Sequence, residues 1–289
     1  MKFLKKVKKP ISLTSLLLGS MSAYDKHRGV EEIHASDLTK DEEFCPKEFA
    51  ILWAIGKAKK GFGISAGMRH TFDMGRDIEA RIQNEYLLDF AVGDWKCSSC
   101  GAMKLFQKKP KTGCHREEIN CNWRYSEVRL IAQSITGGID LFVDIGKPKL
   151  RMVEVKSVIL HDFEKLKAPL AEHRLRTNVY LRMIADSPLA EQVETQVGHV
   201  LYVAKSFGKW NPDDKTISPF KEYEVARDDS ITDKLLGKAS EYQAFRTMGI
   251  VPNRVCPNAA CKRAKSCSVV SACFSKAFKS GDTLEHIVP

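Results

Sequence analysis

GGID at 137–140 and VEVK at 153–156 decide how this chain is read. Strand side chains alternate between faces, so Glu154 and Lys156 project to one side while Val153 and Val155 fill the other. Gly146 and Pro148 mark a turn between the two stretches. Pairing of residues 141–145 with 150–158 as a hairpin brings Asp140 round to the side of Glu154. Two carboxylates and an ammonium then meet at one sheet edge.

Oxygens from Asp140 and Glu154, joined by the backbone carbonyl of Val155, make a hard donor set for Mg2+ or Mn2+. Lys156 beside them is placed to orient a water or to offset charge developing on a phosphate. Residue types in this order fit metal-assisted phosphodiester hydrolysis, although a solvated hairpin also carries charges at such spacing. GGIDLF and MVEVKSV resemble the core of the PD-(D/E)XK superfamily, in the RecB-like branch that includes CRISPR-associated and phage-encoded exonucleases carrying an iron-sulfur cluster. The resemblance runs from about residue 33 to about residue 274. It takes in HASDLTKDEEFCPKEFAILW, with the early cysteine Cys45 followed by proline and a helix. MGRDIEARIQNE occupies the place of the family's first motif, EHRLRTNVYLRM that of the motif after the lysine, and the closing cysteines that of a cluster-binding tail.

Two of these matches depart from the family pattern. The first motif normally has histidine four residues after its glycine, and Gly75 plus four is Glu79. The position implies a metal ligand, here an anionic one; the alternative is a solvated helix charge paired with Arg76 or Arg81. The later motif normally has glutamine four residues before tyrosine, and Arg176 stands four before Tyr180. Sharing a helix face, Arg176 and Tyr180 suit either a DNA contact or a pairing within the protein.

The nine cysteines fall as Cys45 alone, then Cys97, Cys100, Cys114 and Cys121, then Cys256, Cys261, Cys267 and Cys273, which implies two metal centres. The middle group reads CSSCG, a basic loop and CHREEINC, and resembles a zinc ribbon closed by four thiolates, with His115 able to replace Cys114. The tail group has spacing C-x4-C-x5-C-x5-C. The resemblance implies a [4Fe-4S] cluster held by Cys45, Cys256, Cys261 and Cys267, with Cys273 competing for one of the tail positions. A zinc site within the tail alone is the alternative.

A net charge of +10 over 289 residues implies a polyanionic partner. The basic residues gather in an N-terminal arm (Lys2, Lys5, Lys6, Lys8, Lys9), in the cysteine-rich insertion (Lys104, Lys108, Lys109, Lys111) and in the tail (Arg254, Lys262, Arg263, Lys265, Lys276, Lys279). Trp95, Phe106 and Trp123 offer either stacking surfaces for single-stranded DNA or the core of the insertion. ISLTSLLLGSMSA, with a basic beginning and Ala23 as a cleavage site, mimics a secretory signal. Pro10, the hydroxyl residues in the apolar part and the thiolate sites downstream favour an arm of a cytoplasmic protein, of a bacterium or a phage-infected cell, with no membrane span.

Periodicity predicts helices over 46–59 (Phe49, Ile51, Leu52 and Ile55 inward), 73–90 (Ile78, Ile82, Tyr86), 168–185 and 230–248, the last ended by Gly249 and Pro252. VGHVLYVAK and FKEYEVA read as strands. The expected architecture is an α/β, restriction-endonuclease-like mixed central sheet flanked by helices, with a small cysteine-rich insertion and an iron-sulfur-bound C-terminal tail. Its divisions are a basic arm (1–32), an N-terminal helical part (33–94), a zinc-ribbon-like insertion (95–123), a nuclease core (124–249) and the cysteine-rich tail (250–289). The function implied is a metal-dependent DNA exonuclease acting on single strands or DNA ends in phage recombination or replication or in CRISPR-type processing. Two alternatives remain: a structure-specific endonuclease, and a non-cutting DNA-binding or docking subunit of a recombination or CRISPR-adaptation complex.

Overall fold

Residues 29–284 are described by a computed structural model, apart from 41–42, 57–64, 112, 114–120, 133–134 and 207–217; Thr14, Leu17 and Met21 are described singly. Most of the basic arm, its signal-like stretch, Cys114 and His115 thus lie outside the described residues. The strands are β1 (Ile33–His34), β2 (Ala91–Cys97), β3 (Met103–Lys108), β4 (Trp123–Ser126), β5 (Val128–Ala132), β6 (Ile135–Ile139), β7 (Leu141–Val143), β8 (Arg151–Val158), β9 (Val197–Ala204) and β10 (Phe220–Ala226). The helices are α1 (Ala35–Leu38), α2 (Pro46–Ala54), α3 (Ala66–Arg81), α4 (Leu160–Lys165), α5 (Ala171–Ala185), α6 (Asp229–Met248), α7 (Lys262–Ser266) and α8 (Val270–Cys273).

A mixed seven-stranded sheet runs β10-β9-β8-β7-β2-β3, with β4 also on β2, and a three-stranded sheet runs β1-β6-β5. The predicted hairpin forms, with Leu141 opposite Val153. β8 then pairs in parallel with β9, across the connection that carries α5. Val153 and Val155 sit in one apolar cluster with Ile82, Leu141 and Val203, while Met152 belongs to the larger core with Val179 and Leu181 of α5. Close packing is enforced by glycine on both faces of the sheet. A Cβ at Gly198 would stand 2.8 Å from Thr177 Cγ2, and one at Gly75 would stand 3.0 Å from Ser157 Oγ.

The insertion is less separate than its composition implies. Trp95 and Cys97 are the end of β2, and β4 takes the place beside Asp94–Cys97 that β7 holds beside Ala91 and Val92. The boundary expected at residue 95 therefore falls inside a strand of the main sheet. Trp95 and Trp123 are buried, and Phe106 packs edge-on against Phe142, so these rings are core rather than exposed stacking surfaces.

Two helices differ from expectation. Ile55, expected inward, is the C-cap of α2 and 44% exposed. α3 begins at Ala66 and passes into a π-helical turn at Ile82–Tyr86, closed by Leu87 N–H to the Ile82 carbonyl. The extra residue breaks the four-residue step, so Tyr86 faces solvent and Leu87 and Leu88 take the inward positions. Gly249 ends α6 in the left-handed conformation, as the periodicity predicts. Among the described residues no helix is long and apolar enough to cross a membrane.

Candidate active site

Asp140 lies where the chain leaves the small sheet at Ile139 and enters the large one at Leu141. β7 starts only at Leu141, so Val155 N–H has no strand partner on that side. Asp140 Oδ2 accepts from it at 2.8 Å, and Asp140 O accepts from Gln83 Nε2 at 2.7 Å. The first bond holds the carboxylate against β8, and the second holds the Asp140 backbone to the π-helical turn. Lys156 Nζ reaches Glu154 Oε1 at 2.7 Å, Asp140 Oδ2 at 3.2 Å and the Val155 carbonyl at 2.9 Å. The structure thus gathers Asp140, Glu154, Lys156 and the Val155 carbonyl at one point.

Glu79, on the last turn of α3, joins them. Its Oε1 accepts from Gln83 Nε2 at 3.0 Å, so one amide ties it to the Asp140 backbone. One carboxylate oxygen each from Glu79, Asp140 and Glu127 lie within 4.8 Å of one another, the only such group among the described residues. Glu127, between β4 and β5, was missed by the sequence reading. Its carboxylate folds over Gly138, where a Cβ would stand 2.1 Å from Oε2. The signal was the second glycine of GGID, which leaves room for that side chain.

Burial and the charge of Asp140 push Glu79 up to about 8 and Glu154 up to about 7, and push Glu127 upward as well. Lys156 is pulled down by burial, but the charges of Asp140 and Glu154 outweigh this and hold it above its ordinary value. Glu154 is 1% exposed and its Oε2 has no hydrogen-bond partner. A carboxylate oxygen buried without a partner is costly to ionise, and a coordinated cation would offset that cost. The folded protein therefore retains protons that the unfolded chain has released above pH 4.5. Metal-free protein is expected to lose stability as pH rises from about 5 through 8, and Mn2+ to restore it most at the alkaline end. Thermal midpoints in EDTA and in Mn2+ at three pH values check this; a flat profile in EDTA refutes it.

Arg176 and Tyr180 face inward. Arg176 reaches Glu154 and Thr39 at 3.5 Å and also bonds Glu172; Tyr180 is 6% exposed and packs beneath Gly137. Both therefore make contacts within the protein.

The cysteines form two groups. Cys97 ends β2 in a tight turn with Gly101 at φ 76°, and the Cys100 and Ser99 N–H groups lower its thiol against the opposing effect of burial. Cys121 packs against the same cluster. In the tail, Cys45, Cys256, Cys267 and Cys273 line one small cavity with Arg254 and Arg263. Cys261 lies outside the lining, capping α7 with Sγ 3.3 Å from Ala264 N. Its thiol also hydrogen-bonds that of Cys256. Burial raises Cys256 and Cys273 and pushes Cys267 up to about 11.

No protein-family model matches this chain, and no curated protein does. Among solved structures it is similar to the alkaline exonuclease LHK-Exo from Laribacter hongkongensis, at 11% identity and a TM-score of 0.40, covering 78% of this chain and 91% of that one. It is similar also to SSO0001 (13%, TM-score 0.39, 92% and 97% covered) and to a phage-related exonuclease from Haemophilus somnus 129PT (14%, 0.34, 68% and 78%). Likenesses this remote carry no argument about activity, which rests on the site itself.

Proposed function

We propose that this protein is a metal-dependent DNA exonuclease, with Asp140, Glu154 and Lys156 as its catalytic set. The observation that carries this reading is the convergence of Asp140, Glu79 and Glu127 beside a buried, unpartnered Glu154 Oε2 and the Lys156 ammonium. Glu79, Asp140, Glu127, Glu154 and the Val155 carbonyl would hold Mg2+ or Mn2+, which supplies Lewis-acid polarisation of the phosphate and an acidified water. Asp140 also keeps β8 in place through Val155 N–H, so its position is set by the sheet rather than by a flexible side chain. Lys156, kept protonated by its two carboxylates, stands ready to orient the attacking water or to donate to the phosphate. Arg176 Nη1 also reaches Glu154 Oε1, at 3.5 Å.

For the tail we propose a [4Fe-4S] cluster, supported by Cys45, Cys256, Cys267 and Cys273 lining one cavity. Arg254 and Arg263 line the cavity with the thiols, Arg263 paired with Glu48 at 2.9 Å, and the buried Lys47 lies near Cys45 and Cys273. In this reading the cluster is structural, and Cys97, Cys100, Cys114 and Cys121 would hold a separate Zn2+. Single-stranded DNA or DNA ends are the substrate, in phage recombination or in CRISPR-type processing with a protein partner.

The deciding experiment digests end-labelled linear and circular single-stranded DNA with Mn2+. Progressive loss from one end, with the circle intact, is expected. Cutting of the circle would identify an endonuclease, and binding without cutting would identify the non-catalytic alternative.

A further inference from the structure

Tyr202 and His173 form a polar pair beside Lys156 that the catalytic reading does not use. Tyr202 is the β9 partner of Lys156 in the parallel register, so both side chains project from the same face of the sheet. The Tyr202 hydroxyl accepts from Leu170 N–H at 2.9 Å and stands 2.7 Å from His173 Nδ1. Tyr202 is fully buried, so its own hydroxyl proton needs an acceptor, and among the described residues His173 Nδ1 is the one in reach. Nδ1 therefore accepts, which leaves the imidazole proton on Nε2. That atom has no partner among the described residues and is not among the buried unpaired atoms, so it is open to a ligand. His173 also sits one turn before Arg176 on α5, the helix whose Arg176 touches Glu154. Burial, with the charges of Lys156 and Arg176, pushes the imidazole down to about 3 and keeps it neutral.

We propose that His173 is a fixed neutral donor, through Nε2–H, to a phosphate oxygen of the strand held at the Asp140–Glu154–Lys156 site, and that Tyr202 is the positioning residue that sets its tautomer. The inference rests on the nuclease reading for its ligand, but not for its tautomer. A neutral donor adds grip on the strand without a third positive charge beside Lys156 and Arg176.

Nitrogen-15 histidine spectra of the metal-free full chain, with His173→Gln to assign the signal, are expected to show the Nε2–H tautomer at pH 7. Tyr202→Phe should return it to a mixture. An Nδ1–H or doubly protonated ring in the wild type would overturn the proposal. Binding of a labelled oligonucleotide in EDTA reads the contact separately. His173→Ala should weaken it about tenfold, the loss of one charge-assisted hydrogen bond, and His173→Gln, which keeps an N–H donor, should recover most of it. Wild-type affinity in His173→Ala, or equal loss in both variants, would also overturn it. Wild-type protein that binds DNA and never cuts it would sink the nuclease reading alone.

Discussion

Asp140→Asn, Glu154→Gln and Lys156→Ala are each expected to lower cleavage of end-labelled DNA by on the order of 10³-fold, the factor equivalent to several kcal/mol of transition-state charge stabilisation. Asparagine keeps an acceptor for Val155 N–H at 2.8 Å, so the loss reads charge rather than a broken sheet edge. Glu154→Gln is close in shape but ends the ion pairs with Lys156 and Arg176. DNA binding should persist, because the basic arm and tail are untouched. Activity near wild type in Glu154→Gln, with contaminating nuclease excluded, would remove the basis of the functional reading. Glu127→Gln is expected to raise the Mn2+ concentration needed for half activity by about tenfold, the lower end of what a supporting carboxylate contributes, and Glu79→Gln by more. An unchanged requirement in Glu127→Gln would reduce that residue to a surface carboxylate lying over Gly138.

How much of this was legible depends on the range over which each signal acts. Alternation in VEVK and the turn at Gly146 are local, and they gave the β7–β8 hairpin and the meeting of Asp140, Glu154 and Lys156. Glu79 was located by position in a family pattern, and the structure places it in the carboxylate group. Glu127 was not found, because its membership depends on how β5 lies against β6: the register puts Arg129 opposite Gly138 and leaves Glu127 at the strand's start, above the glycine. The π turn at Ile82–Tyr86 was equally hidden, since a single inserted residue leaves a sequence that still looks helical. It matters for the site, because Gln83 within it is buried and bridges Glu79 to the Asp140 backbone. At the insertion the cysteine spacing is a local signal, whereas the pairing of Trp95 and Trp123 into the main sheet joins residues far apart in the chain.

Anaerobically purified protein is expected to be brown, with the broad absorbance of a thiolate-bound iron-sulfur cluster, and Cys45→Ser should bleach it. The physical ground is that Cys45, buried at the N-cap of α2, is the one cavity cysteine from outside the tail. A cluster spanning Cys45 and Cys256 closes a loop of roughly 210 residues, and a cross-link over such a loop contributes about 5 kcal/mol in the chain-entropy description. For a chain of this size the thermal midpoint should fall by on the order of 10 °C. Lys47 and Arg263 amplify the loss. Lys47 is 1% exposed and bonds Ser280, and Arg263 bonds Glu48 at 2.9 Å, so both cations stay among the remaining thiols when the anionic cluster goes. The tail variants then separate the two ligand sets. With Cys45, Cys256, Cys267 and Cys273 around the cavity, Cys261→Ser should keep the colour while Cys273→Ser loses it. The reverse outcome would restore Cys261 as the ligand expected from the family spacing. A colourless wild type that keeps full stability after Cys45→Ser would show instead that the tail is held by its packing and ion pairs alone.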